Sequence, residues 1–279
     1  MSKPLTLLKR MPVTALVGLL LTFSFLIMAI FAPWLAPYSM SESVGDMWMG
    51  PSAEFLLGTD NLGRDLLSRL IYGARTTITI AALATALAFS IGSVLGILAA
   101  VYGGWIDQLI SRGVDIVMSI PTLIFALVIL SVMPSTLLML ILIMGVLDST
   151  RVFRISRAVA VNINVMDYVE AARLRGEGKR WIVFREILPN ALTPLVAELG
   201  LRFIFAVLFL SSLSFLGLGV QPPEADWGSM VRENRQGIVF GVPAALIPAA
   251  AIAVLAISVN LVADWILRHT TDLKGGRSG

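Results

Sequence analysis

Residues 76–102 read TTITIAALATALAFSIGSVLGILAAVY, without one acidic or basic side chain. A hydrocarbon core of about 30 Å is crossed by about 20 helical residues, so this stretch predicts a membrane-spanning helix. Gly92 and Gly96 stand four apart, a spacing that lets two helix backbones approach closely in lipid. Composition agrees. Of 279 residues, 57% are hydrophobic and 14% charged, whereas a soluble globular chain is about one quarter charged. No cysteine is present, which excludes disulfides, thiolate metal sites and a cysteine nucleophile. The single histidine, His269, lies beside Arg268 near the C-terminus and is expected at the membrane interface. A net charge of +3 does not point to nucleic acid.

Working outward, similar apolar runs fix the fold class as all-α and polytopic, with about six transmembrane helices. The first, about 12–33, follows three basic residues, Lys3, Lys9 and Arg10. It is longer than a secretory leader's apolar core and lacks a small-residue cleavage site. Pro33 and Pro37 are expected to end it. An extracytoplasmic segment, 34–75, separates it from a five-helix core, 76–267. Within that core the expected spans are 76–102, 114–132 with a kink at Pro121, 136–147, 192–219 and 242–267. The fourth can extend to about residue 152 if Asp148 and Arg151 face protein or headgroups. The basic residues of the 1–11 tail, the 148–190 loop and the 268–279 tail (Arg268, Lys274 and Arg277 in the last) all fall on one side. The bias of Lys and Arg toward the inside puts both termini and that loop in the cytoplasm.

The loop contains DYVEAARLRGEGKRWIVFREILPN, residues 167–190. Its Gly-Glu-Gly-Lys is not a phosphate-binding loop. That motif requires glycine where Arg173 stands and Ser or Thr where Arg180 stands, so that amides and a hydroxyl can cradle phosphate and magnesium. The residues read instead as a helix from Val159 to Leu174, broken by Gly176 and Gly178. Trp181, Ile182, Phe184, Ile187 and Leu188 then predict a second helix, and Pro189 fits the first turn of the span that follows. Both alanines of Glu170-Ala171-Ala172 are expected to face outward, where another protein could grip them.

Glu170, Ala171, Ala172, Gly176, Leu188 and Pro189, at this spacing, resemble the EAA motif of bacterial ABC-importer permeases. LGTDNLGRDLLSRLIYGAR (57–75) and SSLSFLGLGVQPPEADWGSMV (211–231) are similar to the dipeptide/oligopeptide/nickel branch of that family. The resemblance implies a non-catalytic subunit of the inner membrane, with no cofactor of its own. It implies a heterodimer with a second homologous permease, two cytoplasmic ATPases that bind ATP and magnesium, and an extracytoplasmic binding protein. The helix around 170–176 would be the coupling helix, with Glu170 a polar contact to the ATPase. Peptides are the expected cargo; nickel chelates, oligosaccharides and opine-like solutes use similar permeases. A secondary transporter would show inverted repeats, and no convincing repeat is present. A membrane-embedded enzyme would need a convergent nucleophile or metal set, which a chain without cysteine and with one histidine does not offer.

Ionisable residues inside spans are costly and usually pair or line a wet cavity. Arg202 is expected to pair with Glu198 at i,i+4 or with Asp264, or else to face the pathway and meet a substrate carboxylate. Asp60, Arg64, Asp65 and Arg69 in the outer segment read as local ion pairs on a short exposed helix, each contributing a few tenths of a kcal/mol. Trp48 and Trp227 are expected at the membrane interface.

Overall fold

The computed structural model describes residues 11–275, with side chains through residue 267. The tail residues Lys3, Lys9, Arg10, Arg268, Lys274 and Arg277, and His269 with them, lie outside those described side chains. The described chain is helical: α1 Val13–Ile30, α2 Leu66–Tyr102, α3 Gly104–Ser119, α4 Thr122–Val132, α5 Leu137–Asn164, α6 Asp167–Leu174, α7 Lys179–Phe215, α8 Trp227–Asn234 and α9 Leu246–Gly275. Among the described residues, four helical stretches are long and apolar enough to cross a membrane: α1, α2, α7 and Pro243–Leu267. The bent pair of α3 and α4 would make a fifth. Helix α5, 28 residues long, also has the length, but Asp148, Arg151, Arg154 and Arg157 lie within it.

The break at Pro121 is sharper than a kink, since α3 and α4 meet at 82°. Proline's ring bars its predecessor from helical geometry, and Ile120 is extended, at φ −95° and ψ 130°. The first helix also stops earlier than expected, at Ile30, and Pro33 sits within a one-turn helix, Ala32–Leu35. Helix α2 begins at Leu66, ten residues before the apolar run. Asp65 caps it by accepting the amide of Ser68 at 2.8 Å.

Helices α2 and α5 form the most extensive pairing of the bundle, and the two glycines explain how. A Cβ on Gly92 would lie 2.6 Å from the carbonyl oxygen of Ser149 and from the Cβ of Val152. One on Gly96 would lie 2.8 Å from the backbone of Phe153 and Arg157. These distances are backbone contact, so no side-chain rotation relieves them. We expect Gly92→Ala to destabilise the protein by about 1–3 kcal/mol through overpacking. Gly113→Ala, in α3 with open space around it, should be neutral or gain up to about 1 kcal/mol in helix propensity. Thermal unfolding of the purified protein in detergent checks both; equal melting temperatures would refute the packing role of Gly92.

The main core joins α2, α4, α5, α7, α8 and α9 through residues such as Leu66, Ala81, Leu130, Leu140, Val207, Leu210 and Leu255. Trp227 of α8 belongs to this core rather than to a membrane interface. It is fully buried, donates Nε1–H to the carbonyl of Leu70 at 3.0 Å, and meets Phe25 edge-on. Trp48 is half-buried, with its Nε1–H on Asn234 and its ring against Phe240.

Candidate functional site

At one end of the bundle the chain turns through α6. Asp167 and Glu170 lie in its first turn and Arg173 in its last, which matches the helix dipole. Gly176, at φ +85°, ends it in the left-handed conformation that glycine adopts without strain. The amides of Gly176 and Glu177 then return to the carbonyls of Arg173 and Ala172. Val169 and Ala172 are fully buried, and Val169 joins a cluster with Ile97, Val101, Ile163, Ile182 and Ile187, against which Leu188 packs. Ala172 is therefore turned inward, not outward with Ala171. Successive residues lie 100° apart around a helix, and Ala172 shares its face with Val169. Glu170, Ala171, Gly176 and Pro189 are exposed. Around them lies apolar surface: Val165 is 75% exposed, Leu174 84%, and Met166 and Tyr168 are also open.

The predicted pair of a second loop helix and a new span is one helix, α7. Its first part relaxes into a π turn over Ile182–Ile187 immediately before Leu188 and Pro189. Proline has no amide to donate and its ring crowds the carbonyl four residues back, and a wider turn at that place keeps the helix running. Arg175 lies over Trp181 and Lys179 over Tyr102, tying this end of α7 to α2.

Farther along the bundle, α5 and α7 bring four charges together. Arg202 donates from Nε to Glu198 at 2.7 Å, reaches Asp148 at 3.4 Å and lies over the ring of Phe205. Glu198 is thus one partner, and Asp148 takes the place that the sequence offered to Asp264, which lies exposed on α9. Arg151 makes two long contacts, 3.4 Å to Asp148 and 3.2 Å to the hydroxyl of Thr122. A cleft of about 500 Å3 opens beside the group, lined by Thr85, Thr122, Met144, Asp148, Arg151 and Phe209 among others.

The far end is closed by a cap whose charges are largely buried and, apart from the i,i+4 pair of Asp60 with Arg64, joined over longer separations. Asp60 and Arg69 are almost fully buried, and Asp60 is in a loop rather than on a helix. Asp60 accepts from Arg64 at 2.7 Å and from Arg69; Glu233 of α8 accepts from the same two arginines at 2.9 and 2.6 Å. Glu233 completes the set from more than 160 residues away, beyond any short-range spacing. Asn234 adds an acceptor for the amide of Asn61 and the indole of Trp48. Asp65 instead caps α2 through Ser68.

In the same cap Asp226 begins α8 with a reciprocal capping box, accepting the amides of Gly228 and Ser229. Its burial pushes the carboxyl up to about 6, against the lowering effect of hydrogen bonds from Ser229, Ser214 and the two amides. The native protein therefore holds a proton that the unfolded chain releases near pH 4. The associated stability is full below that pH and is lost as pH rises through 6, roughly 3 kcal/mol in all. Asp226→Asn keeps a capping side chain and removes the titration. The stability of wild type relative to this variant is expected to fall by about that amount between pH 4 and pH 7. Melting curves at the two pH values measure it, and an unchanged difference would refute the assignment.

Taken together, the bundle, the internal charge group and the helical turn packed under one end define a multi-pass membrane permease. Residues 92–272 match the family described as binding-protein-dependent transport system inner membrane component. Residues 13–50 match the N-terminal membrane domain of oligopeptide transport permease C. The chain belongs to the first of these families. It is a non-catalytic inner-membrane subunit that works with an ATPase and a binding protein. It is 35% identical to the dipeptide transport system permease protein DppC of Alkalihalophilus pseudofirmus, over 93% of this chain and 86% of that protein. It is 37% identical to the di/tripeptide permease DppC of Pseudomonas aeruginosa, over 93% and 88%. With the probable D,D-dipeptide permease DdpC of Escherichia coli it shares 33% identity over 99% and 92%.

Proposed function

We propose that this chain forms half of the pathway of an ATP-driven peptide importer, and that α6 is the coupling helix seated on one ATPase. The partners would be a second, related permease, two ATPases and an extracytoplasmic binding protein. The observation that carries the reading is the two-sided character of α6. Val169 fixes it to the ends of α2, α5 and α7, with Ala172 buried on the same face, while Glu170, Ala171 and Leu174 face away, uncovered within this chain. A rigid attachment on one side and an open apolar face on the other is what force transmission needs. ATP binding closes the ATPase pair, α6 travels with its seat, and the attached helices rock the pathway between inward and outward openings. Nucleotide drives this only through its differential affinity for the two states.

Arg173, Arg175, Lys179, Arg180 and Arg185 gather at this end, which supports a cytoplasmic placement for it; two arginines of the cap, Arg64 and Arg69, are held in ion pairs. The names of the relatives support peptides as cargo. The test is ATP hydrolysis by the assembled importer in proteoliposomes, presented with its binding protein and a panel of dipeptides, longer peptides, nickel chelates and oligosaccharides. Peptides are expected to stimulate most. A nickel chelate or sugar that stimulates more would reassign the cargo and leave the architecture standing.

A further inference from the structure

The charge group beside the cleft is held in an unusual way. Arg202 is well satisfied by Glu198, but Asp148 is shared between Arg202 and Arg151 at 3.4 Å to each, beyond ordinary charged hydrogen-bond distance. Arg151 carries five donors, and its side chain is 41% exposed toward the cleft side of the bundle. Two other cleft-lining groups are left over. The Thr85 hydroxyl, on a residue 4% exposed, and Oδ2 of Asp148 are both buried without a hydrogen-bond partner in the chain. Buried polar atoms nearly always have partners, so two orphans on one cleft ask for an explanation. The remaining lining is apolar, with Met144, Leu208 and Phe209.

From this geometry we propose that the cleft is a transit subsite for a peptide's free carboxylate terminus, with Arg151 as the residue that meets it. The inference rests on the peptide reading above. An entering carboxylate takes the Arg151 donors at closer range than Asp148 does, and Asp148 stays with Arg202. Thr85 donates its hydroxyl to the same terminus, and Oδ2 of Asp148 accepts an N–H of the peptide. The apolar wall receives an apolar or small terminal side chain. The four protein charges sum to zero, two arginines against two carboxylates. A zwitterionic peptide leaves the site neutral, whereas a lone anion adds uncompensated charge to a poorly solvated place. Loose pairing suits transit, because a subsite that bound as tightly as a closed ion pair would hold its cargo.

The experiment uses the complete importer in proteoliposomes, with binding protein preloaded with labelled Ala-Phe. Uptake and stimulated ATP hydrolysis are measured together. Arg151→Gln is expected to lower uptake roughly tenfold or more while stimulated hydrolysis stays within about twofold, and Arg151→Lys should recover part of the loss. Thr85→Val, nearly isosteric, should lower uptake severalfold with hydrolysis unchanged, and it decides the matter if Arg151→Gln fails to assemble. Wild-type uptake in an assembled Arg151→Gln importer, or in Thr85→Val where that variant decides, would overturn the subsite and leave the peptide reading intact. A wild-type importer that takes up no peptide but does take up another solute would overturn both.

Discussion

Ala171→Trp is expected to leave the permease folded and assembled but to remove stimulation of ATP hydrolysis by the liganded binding protein. Ala171 lies on the open side of α6, so an indole there meets no part of this chain. On the proposed reading it would meet the partner that seats the helix. A central contact in a well-packed interface is commonly worth 2 kcal/mol or more, so the response should fall at least about tenfold. Glu170→Arg, exposed on the same helix, should act in the same direction by reversing a charge at the seat. The neighbouring Ala172→Trp separates the two kinds of failure. Ala172 is fully buried on the same face of α6 as Val169, so its enlargement should reduce the amount of folded protein rather than its coupling. The measurement is ATP hydrolysis with and without binding protein and peptide, alongside the abundance of the purified complex. If Ala171→Trp assembles and responds as wild type does, α6 is not the transmission element.

The reversal of Ala172 shows what the sequence did and did not make legible. Glycine spacing and apolar length pointed to the α2 helix and its close approach to another backbone, because both depend on local chain properties. The partner, α5, was not legible; only the Cβ positions at Gly92 and Gly96 against Ser149, Val152 and Phe153 reveal it. The break at Pro121 was legible as a position but not as an angle, since the 82° turn depends on where α3 and α4 each find a surface to cover. The continuity of α7 through Pro189 was missed because a π turn has no simple residue signature. The i,i+4 pair of Arg202 with Glu198 was legible, and the long-range charge partners were missed for one reason. Helical offsets report neighbours three or four residues away, while Asp148 to Arg202 spans 54 residues and Arg69 to Glu233 spans 164.

That long-range pair carries the largest effect on stability expected in this chain. Arg69 is 1% exposed, and its guanidinium bonds both Asp60 and Glu233 from a single nitrogen. Replacing it with Met keeps the apolar stem and strands two carboxylates in a buried place, with Arg64 alone to answer both. Breaking a buried pair from one side typically costs about 3–5 kcal/mol, because the partner's charge is left uncompensated. Arg69→Met should lose that much, chiefly by releasing segment 57–65 from α8. Adding Glu233→Gln should restore part of the loss, since it removes one stranded charge while keeping an acceptor for Arg64. The pair is then non-additive by more than about 0.5 kcal/mol, the usual scatter for independent sites. Asp60→Asn is a poorer compensator: its carboxylate also accepts the amides of Leu62 and Arg64 and so shapes the loop. Denaturation of Arg69→Met, Glu233→Gln and the double variant in detergent, followed by tryptophan fluorescence, gives the cycle. A loss below about 1 kcal/mol for Arg69→Met would mean that the charges tolerate water in the cap, and that the cap is held to the bundle by Trp227 and its apolar neighbours instead.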